Sequence, residues 1–292
     1  MINLPRLAER ATLIAYLIAC FLMIIGVKQL NKPNRSRQGT FLAAFGTFIG
    51  VAAVFFDADV VQSSYYAESV FQNGYFWVFI AVVIGSFIGV ICSKAIRATG
   101  MFRLVALYSG FGGLATALIA FSEFFNFTFM EISERAIYAT DTIFALSVSL
   151  AIFLGVMTFT GSMLAWGKLS DNVTERTKLL KGRYFINTLL VLATIACIVI
   201  ITASGFDPTH RFYAIFALPA IAFIFGFTFV RSIGRRSMAI AVPLLNSLTG
   251  IAVAIMGFIL VNILLIAAGA LVATSGIAIT AVWNANNGRS SR

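Results

Sequence analysis

The sequence predicts an all-α membrane protein, a polytopic bundle of about nine transmembrane helices with the N-terminus outside and the C-terminus in the cytoplasm. Three observations predict it. The 292 residues are 60% hydrophobic and only 11% charged, against roughly 45–50% apolar and about 25% charged in soluble domains. Apolar runs close to the roughly 20 residues a helix needs to cross a bilayer recur along the whole chain. Basic residues gather in alternate loops between those runs, as the positive-inside rule requires. So apolar a chain would expose large apolar patches in water, which makes lipid the better solvent. Backbone polar groups in lipid must be satisfied within the segment, and that makes each run a helix.

The spans fall at 11–29, 39–56, 74–93, 103–122, 142–166, 184–203, 211–230, 238–260 and 263–283, so residues 1–292 read as a single transmembrane helical domain. The first span reads as a retained helix rather than a signal peptide. Its apolar run from Ala11 to Val27 has no small-x-small cleavage site, and Lys28, Lys32, Arg35 and Arg37 hold its end inside. The second and third spans carry Gly46/Gly50 and Gly85/Gly89, a one-turn spacing of small residues that lets helices approach closely in lipid. The fourth contains Tyr108 and Ser109, the fifth Thr158, Thr160 and Ser162, and the eighth Pro243, Asn246, Ser247 and Thr249. Only Val261 and Asn262 separate the last two spans, so a tight helical hairpin and one long bent helix both fit there.

Charge orients the bundle. One set of loops holds 17 lysines and arginines with Asp171 and Glu175; the other holds Arg6, Arg10, Arg135 and Arg211 with nine acids. An odd number of spans with the basic side inside puts the N-terminus out, and the bacterial inner membrane is the expected location. The net charge of +10 therefore reflects topology and not a nucleic-acid surface. Cys20, Cys92 and Cys197 lie in or at the ends of separate spans with no CxxC pairing, and His210 is the only histidine. Neither a metal site nor a disulfide framework is expected.

No Asp, Glu, Lys, Arg or His lies deep in these spans, which argues against a carboxylate-driven transporter or a titrating relay. Glu123 and Asp141 read as solvated residues at the span ends. The remaining candidates for an internal polar path are Ser109, Thr160, Ser162 and Asn246. Serine and threonine hydroxyls in membrane helices often bond back to their own backbone. Asn246 needs partners on a neighbouring helix, and is read either as interhelical glue or as part of the path.

Taken in order, RQGTFLAAFG (37–46), VVIGSFIGV (82–90), LVALYSGFGGLA (104–115), GVMTFTGSMLAWGKL (155–169), FGFTFVRSIG (225–234), PLLNSLTG (243–250) and GALVATSGIAIT (269–280) resemble the membrane domain of the proton-translocating NAD(P) transhydrogenase β subunit. The resemblance spans roughly residues 36–283. It implies nine membrane helices with the N-terminus outside, and a membrane domain that conducts protons while soluble domains pass hydride between NADH and NADP⁺. A homodimer is implied by the family alone.

Three departures accompany it. Only Asn284 to Arg292 follow the last span, and no GxGxxG fingerprint appears. No hydride-transfer chemistry and no cofactor are therefore expected on this chain alone; NAD and NADP enter through partner subunits. Alignment on LVA and GLA places Ser109 where the family carries its proton-path histidine, and a serine hydroxyl cannot accept and release a proton near neutral pH as imidazole does. In the 231–237 loop, Ser237 stands at a family acid, beside Arg235 and Arg236. The expected function is an integral membrane subunit working in the bilayer with separately encoded nucleotide-binding subunits. The alternative is a non-enzymatic derivative: a structural or assembly subunit of another membrane complex, or a small-solute or ion pathway. A secondary transporter ranks behind both, because only Pro243 beside Asn246 hints at a broken helix.

Overall fold

The computed structural model describes residues 4–30, 33–95, 100–129, 141–170, 182–203, 208–234 and 237–290. Several of the charges counted above, Arg235 and Arg236 among them, lie outside the described residues. Every regular element described is helical. Among the described residues nine helices are long and apolar enough to cross a membrane, in agreement with the hydropathy reading. By contacts the chain divides into two compact units, Met1–Arg97 and Ala98–Arg292.

The first unit holds α1 (Leu4–Leu30), α2 (Ser36–Ala53), the short α3 (Ala58–Tyr65) and α4 (Gly74–Ala95). Helices α1 and α2 run antiparallel and very close. A Cβ on Gly26 would stand 2.7 Å from the Ala43 nitrogen, and one on Gly46 would stand 2.9 Å from the Ala19 carbonyl oxygen. Of the glycine pair predicted for this span, Gly46 thus has a packing role, and Gly50 is buried. The pair in α4 has no such role among the described residues, for Gly85 and Gly89 meet nothing within 4 Å. At the other end of α1, Thr12 donates to the Phe56 carbonyl (2.9 Å) and the Tyr16 hydroxyl to Asp57 (3.2 Å). These bonds tie the start of α1 to the chain leaving α2.

The second unit holds α5 (Met101–Phe129), α6 (Asp141–Leu169), α7 (Arg183–Thr202), α8 (Pro208–Arg231), α9 (Met238–Ile259) and α10 (Ile263–Ser290). Helix α6 is its centre, with α5, α7, α8 and α9 packed around it. One apolar core is built from Val148 and Ile152 of α6, Ile201 of α7, Ile215 and Leu218 of α8, and Met256 of α9. A second, towards the other end of α6, joins Ala165 to Val230, Met238, Val242 and Leu245. Helix α5 continues past the predicted boundary at 122 because FFNFTF (124–129) contains no glycine or proline to stop it. Glu123 is consequently half-buried within the helix and engaged with a partner, not a solvated end residue. Pro243 lies inside a continuous α9 and does not break it.

The junction of the last two spans resolves as a tight hairpin. Val261 adopts φ 52°, the left-handed region. The amide of Asn262 donates to the Gly257 carbonyl (2.8 Å) and that of Val261 to Phe258 (3.3 Å). This pair of bonds is a Schellman cap, which closes the carbonyls left open at a helix C-terminus. Asn262 then starts the next helix, its Oδ1 accepting from the Leu265 amide at 3.1 Å. One residue therefore ends α9 and caps α10. Along the hairpin the backbones touch through Gly250, Gly257, Gly269 and Gly276, where any Cβ would press on the opposite main chain.

Candidate functional site

Three hydroxyls from three helices meet inside the second unit. Ser109 of α5 is 3% exposed, Ser162 of α6 is fully buried and Thr249 of α9 is 6% exposed. Ser109 Oγ and Thr249 Oγ1 are 2.9 Å apart, and Ser162 Oγ lies 3.4 Å from Ser109 Oγ. Thr249 Oγ1 also donates towards the carbonyls of Ser109 and Leu245, each at 3.2 Å. A hydroxyl has one proton to give. When Thr249 gives its own to the main chain, Ser162 donates to Ser109 and Ser109 to Thr249; the Ser109–Thr249 contact serves equally with Thr249 as the donor. At 3.4 Å the Ser162 contact is longer than an ordinary O–H···O bond and is the loosest joint.

Glycines make this meeting possible. A Cβ on Gly113 would press against Thr158 and stand 2.7 Å from the Gly155 carbonyl oxygen, so α5 and α6 touch through their backbones one turn from the hydroxyls. Gly112 leaves the space that the Thr249 methyl approaches, at 3.4 Å from where a Cβ would be. By helical rise, Ser109 sits about 12 Å from the start of α5 and Thr249 about 16 Å from the start of α9. The cluster is therefore deep in its spans. Hydroxyls there can pass a proton along a hydrogen-bonded chain, but they cannot store one near neutral pH.

The other candidates sit elsewhere. The Thr160 hydroxyl donates to the carbonyls of Val156 (2.8 Å) and Met157 (3.2 Å) of its own helix, and it packs against Gly226 of α8. Thr160 and Ser162 are two residues apart, roughly 200° around the helix, and cannot face the same neighbour. Asn246 is half-buried, and none of its hydrogen bonds with the span-five hydroxyls is found among the described residues. Ser247 turns towards α10, donating to the Pro243 carbonyl (2.9 Å) and packing against Gly276. Cys20, Cys92 and Cys197 are free. Among the described residues no cluster of His, Cys, Asp or Glu is placed to hold a metal ion.

Two residues stand outside the path candidates that the sequence offers. Thr249 was legible from its spacing, because it lies one turn from Asn246 and two positions from Ser247, on a different face from the latter. Lys168 was not. It is 7% exposed, although its place at the end of a span gave it the appearance of an ordinary topological charge. Its Nζ donates to the carbonyls of Val230 (2.8 Å), Arg231 (3.0 Å) and Ile233 (2.7 Å).

Comparison with known proteins agrees with this architecture. The family model for the NAD(P) transhydrogenase beta subunit matches residues 12–290. Two relatives, both the NAD(P) transhydrogenase subunit beta of Rhodospirillum rubrum, are each 30% identical over 266 residues. That alignment takes in 91% of this chain and 53% of each relative, so the chain spans about half the length of the curated relatives it matches. With the match running through all nine spans, this chain belongs to the NAD(P) transhydrogenase beta subunit family.

Proposed function

We propose that this chain forms the membrane-embedded, proton-conducting part of a transhydrogenase-type complex, oriented with its N-terminus outside and its C-terminus in the cytoplasm of a bacterial inner membrane. Family membership supports the reading, and the single observation that carries it is the buried Ser162–Ser109–Thr249 hydroxyl chain at mid-span. Nucleotide binding and hydride transfer between NADH and NADP⁺ would lie outside these residues. The 17-to-4 division of lysine and arginine between the two sets of loops supports the orientation.

The test is reconstitution into liposomes that enclose a pH-sensitive dye, with and without nucleotide-binding transhydrogenase subunits. Expected is uncoupler-sensitive hydride exchange in the full set of subunits, slowed by Ser109→Ala. Complete complexes that exchange hydride without moving protons would overturn the reading.

A second reading has one observation in its favour. The buried cluster consists of hydroxyls, with Ser109 where the family resemblance expects an imidazole. A bundle so built suits a structural or assembly subunit of a membrane complex, or a small-solute or ion pathway. Co-purification with membrane proteins that bind no nucleotide would favour it.

A further inference from the structure

A lysine at the end of a membrane helix ordinarily snorkels, running its stem along the helix and carrying its ammonium into headgroup water. Lys168 does the opposite. It stands one residue before the end of α6, yet is buried, with Nζ on the carbonyls of Val230, Arg231 and Ile233. Two of those oxygens end α8 and the third begins the turn that leads to α9.

Each partner removes the other's deficit. The last carbonyls of a helix have no intrahelical donor, and they carry the partial negative charge of the helix dipole; the Val230 carbonyl also accepts from the Ile233 amide of the turn, at 3.1 Å. A buried ammonium needs such acceptors to replace its lost water. The contact also has mechanical reach. Val230 is fully buried, and its side chain lies 3.0 Å from where a Cβ on Gly161, the neighbour of Ser162, would stand. One turn earlier on α8, a Cβ on Gly226 would press on the Met157 carbonyl and on Thr160. Met238, the first residue of α9, is fully buried in the same core.

We propose that Lys168 is a built-in cation latch, a positioning residue that fixes the end of α8 and the start of the turn after it, residues 230–233, to the helix carrying Ser162. The three carbonyls form a cage for an alkylammonium ion, which the chain fills with its own side chain. The turn can leave α6 only when that ammonium leaves the cage. The latch does not depend on proton conduction by this chain, and its test uses no proton movement.

The readout is the rate at which a water-soluble maleimide labels Met238→Cys in the full chain, with Cys20, Cys92 and Cys197 replaced by alanine. Labelling of a buried thiol reports local opening. Lys168→Met keeps the apolar stem and removes the charge; it is expected to speed labelling about tenfold or more, the equivalent of one lost charge-assisted hydrogen bond. Lys168→Arg, which keeps a donor, should remain slow. In Lys168→Ala, n-propylammonium should slow labelling again, while n-propanol and sodium should not. Unchanged labelling in folded Lys168→Met overturns the latch. Equal rescue by propanol overturns it too, because the side chain would then be acting by bulk. If Lys168→Ala fails to fold, the methionine and arginine variants decide alone.

Discussion

Ser109 and Thr249, 140 positions apart in sequence, share a 2.9 Å hydroxyl–hydroxyl contact that joins α5 to α9. The bond is buried in a span, where the alternative for either hydroxyl is its own backbone. Its strength is measurable by a double-mutant cycle on thermal unfolding in detergent. Ser109→Ala and Thr249→Val are each expected to cost about 1 kcal/mol, with a coupling of about 0.6 kcal/mol. Additive losses would mean that the pair makes no net bond.

Thr160→Val supplies the contrast. Its hydroxyl bonds only within α6 among the described partners, and valine preserves the shape packed on Gly226. Stability should change by less than about 0.5 kcal/mol. Any proton movement by the reconstituted complex should be unaffected. A large loss of conduction with the fold intact would bring Thr160 back into the path.

Gly85, from one of the glycine pairs noted in sequence, should behave differently from the hairpin glycines. A Cβ on Gly250 would stand 2.5 Å from the Ala273 nitrogen, whereas Gly85 has open space. Gly250→Ala is expected to cost about 1–3 kcal/mol by forcing the α9–α10 backbones apart. Gly85→Ala should be neutral, or stabilising by up to about 1 kcal/mol through helix propensity. Melting temperatures of the two variants check both signs.

Val261 is a β-branched residue at φ 52°, a position where glycine is the usual occupant of a Schellman cap. Val261→Gly should relieve that strain and stabilise the protein by about 1 kcal/mol. A lower melting temperature for the variant would show that the valine side chain contributes more by packing than its backbone loses.

Asn246→Leu separates glue from path. Asn246 is half-buried in α9, and the variant is expected to fold with stability within about 1 kcal/mol of the parent. Hydride-coupled proton movement lost in a folded variant assigns the amide to the path. A variant that unfolds assigns it to helix association.

Much of the architecture was legible in one dimension. Hydropathy is a sum over consecutive residues, so nine spans emerge without knowledge of any contact. The ordered stretches from RQGTFLAAFG to GALVATSGIAIT also carried the family that the comparisons then showed. Helical periodicity also separates residues by face. Two residues subtend roughly 200°, which already separates Thr160 from Ser162 and Ser247 from Thr249.

What the tertiary structure decided is rotation and partnership. Whether Gly46 or Gly85 touches a neighbour depends on how each helix is turned about its axis, and no local pattern encodes that. The same holds for Ser109, whose partner lies on a helix far along the chain, and for Lys168. Its charge counted towards topology in the sequence, and only the approach of the α8 terminus makes burying it favourable. Composition determines the solvent and the number of spans, because those are properties of each segment alone. The site depends on contacts between segments, and those exist only once the helices pack.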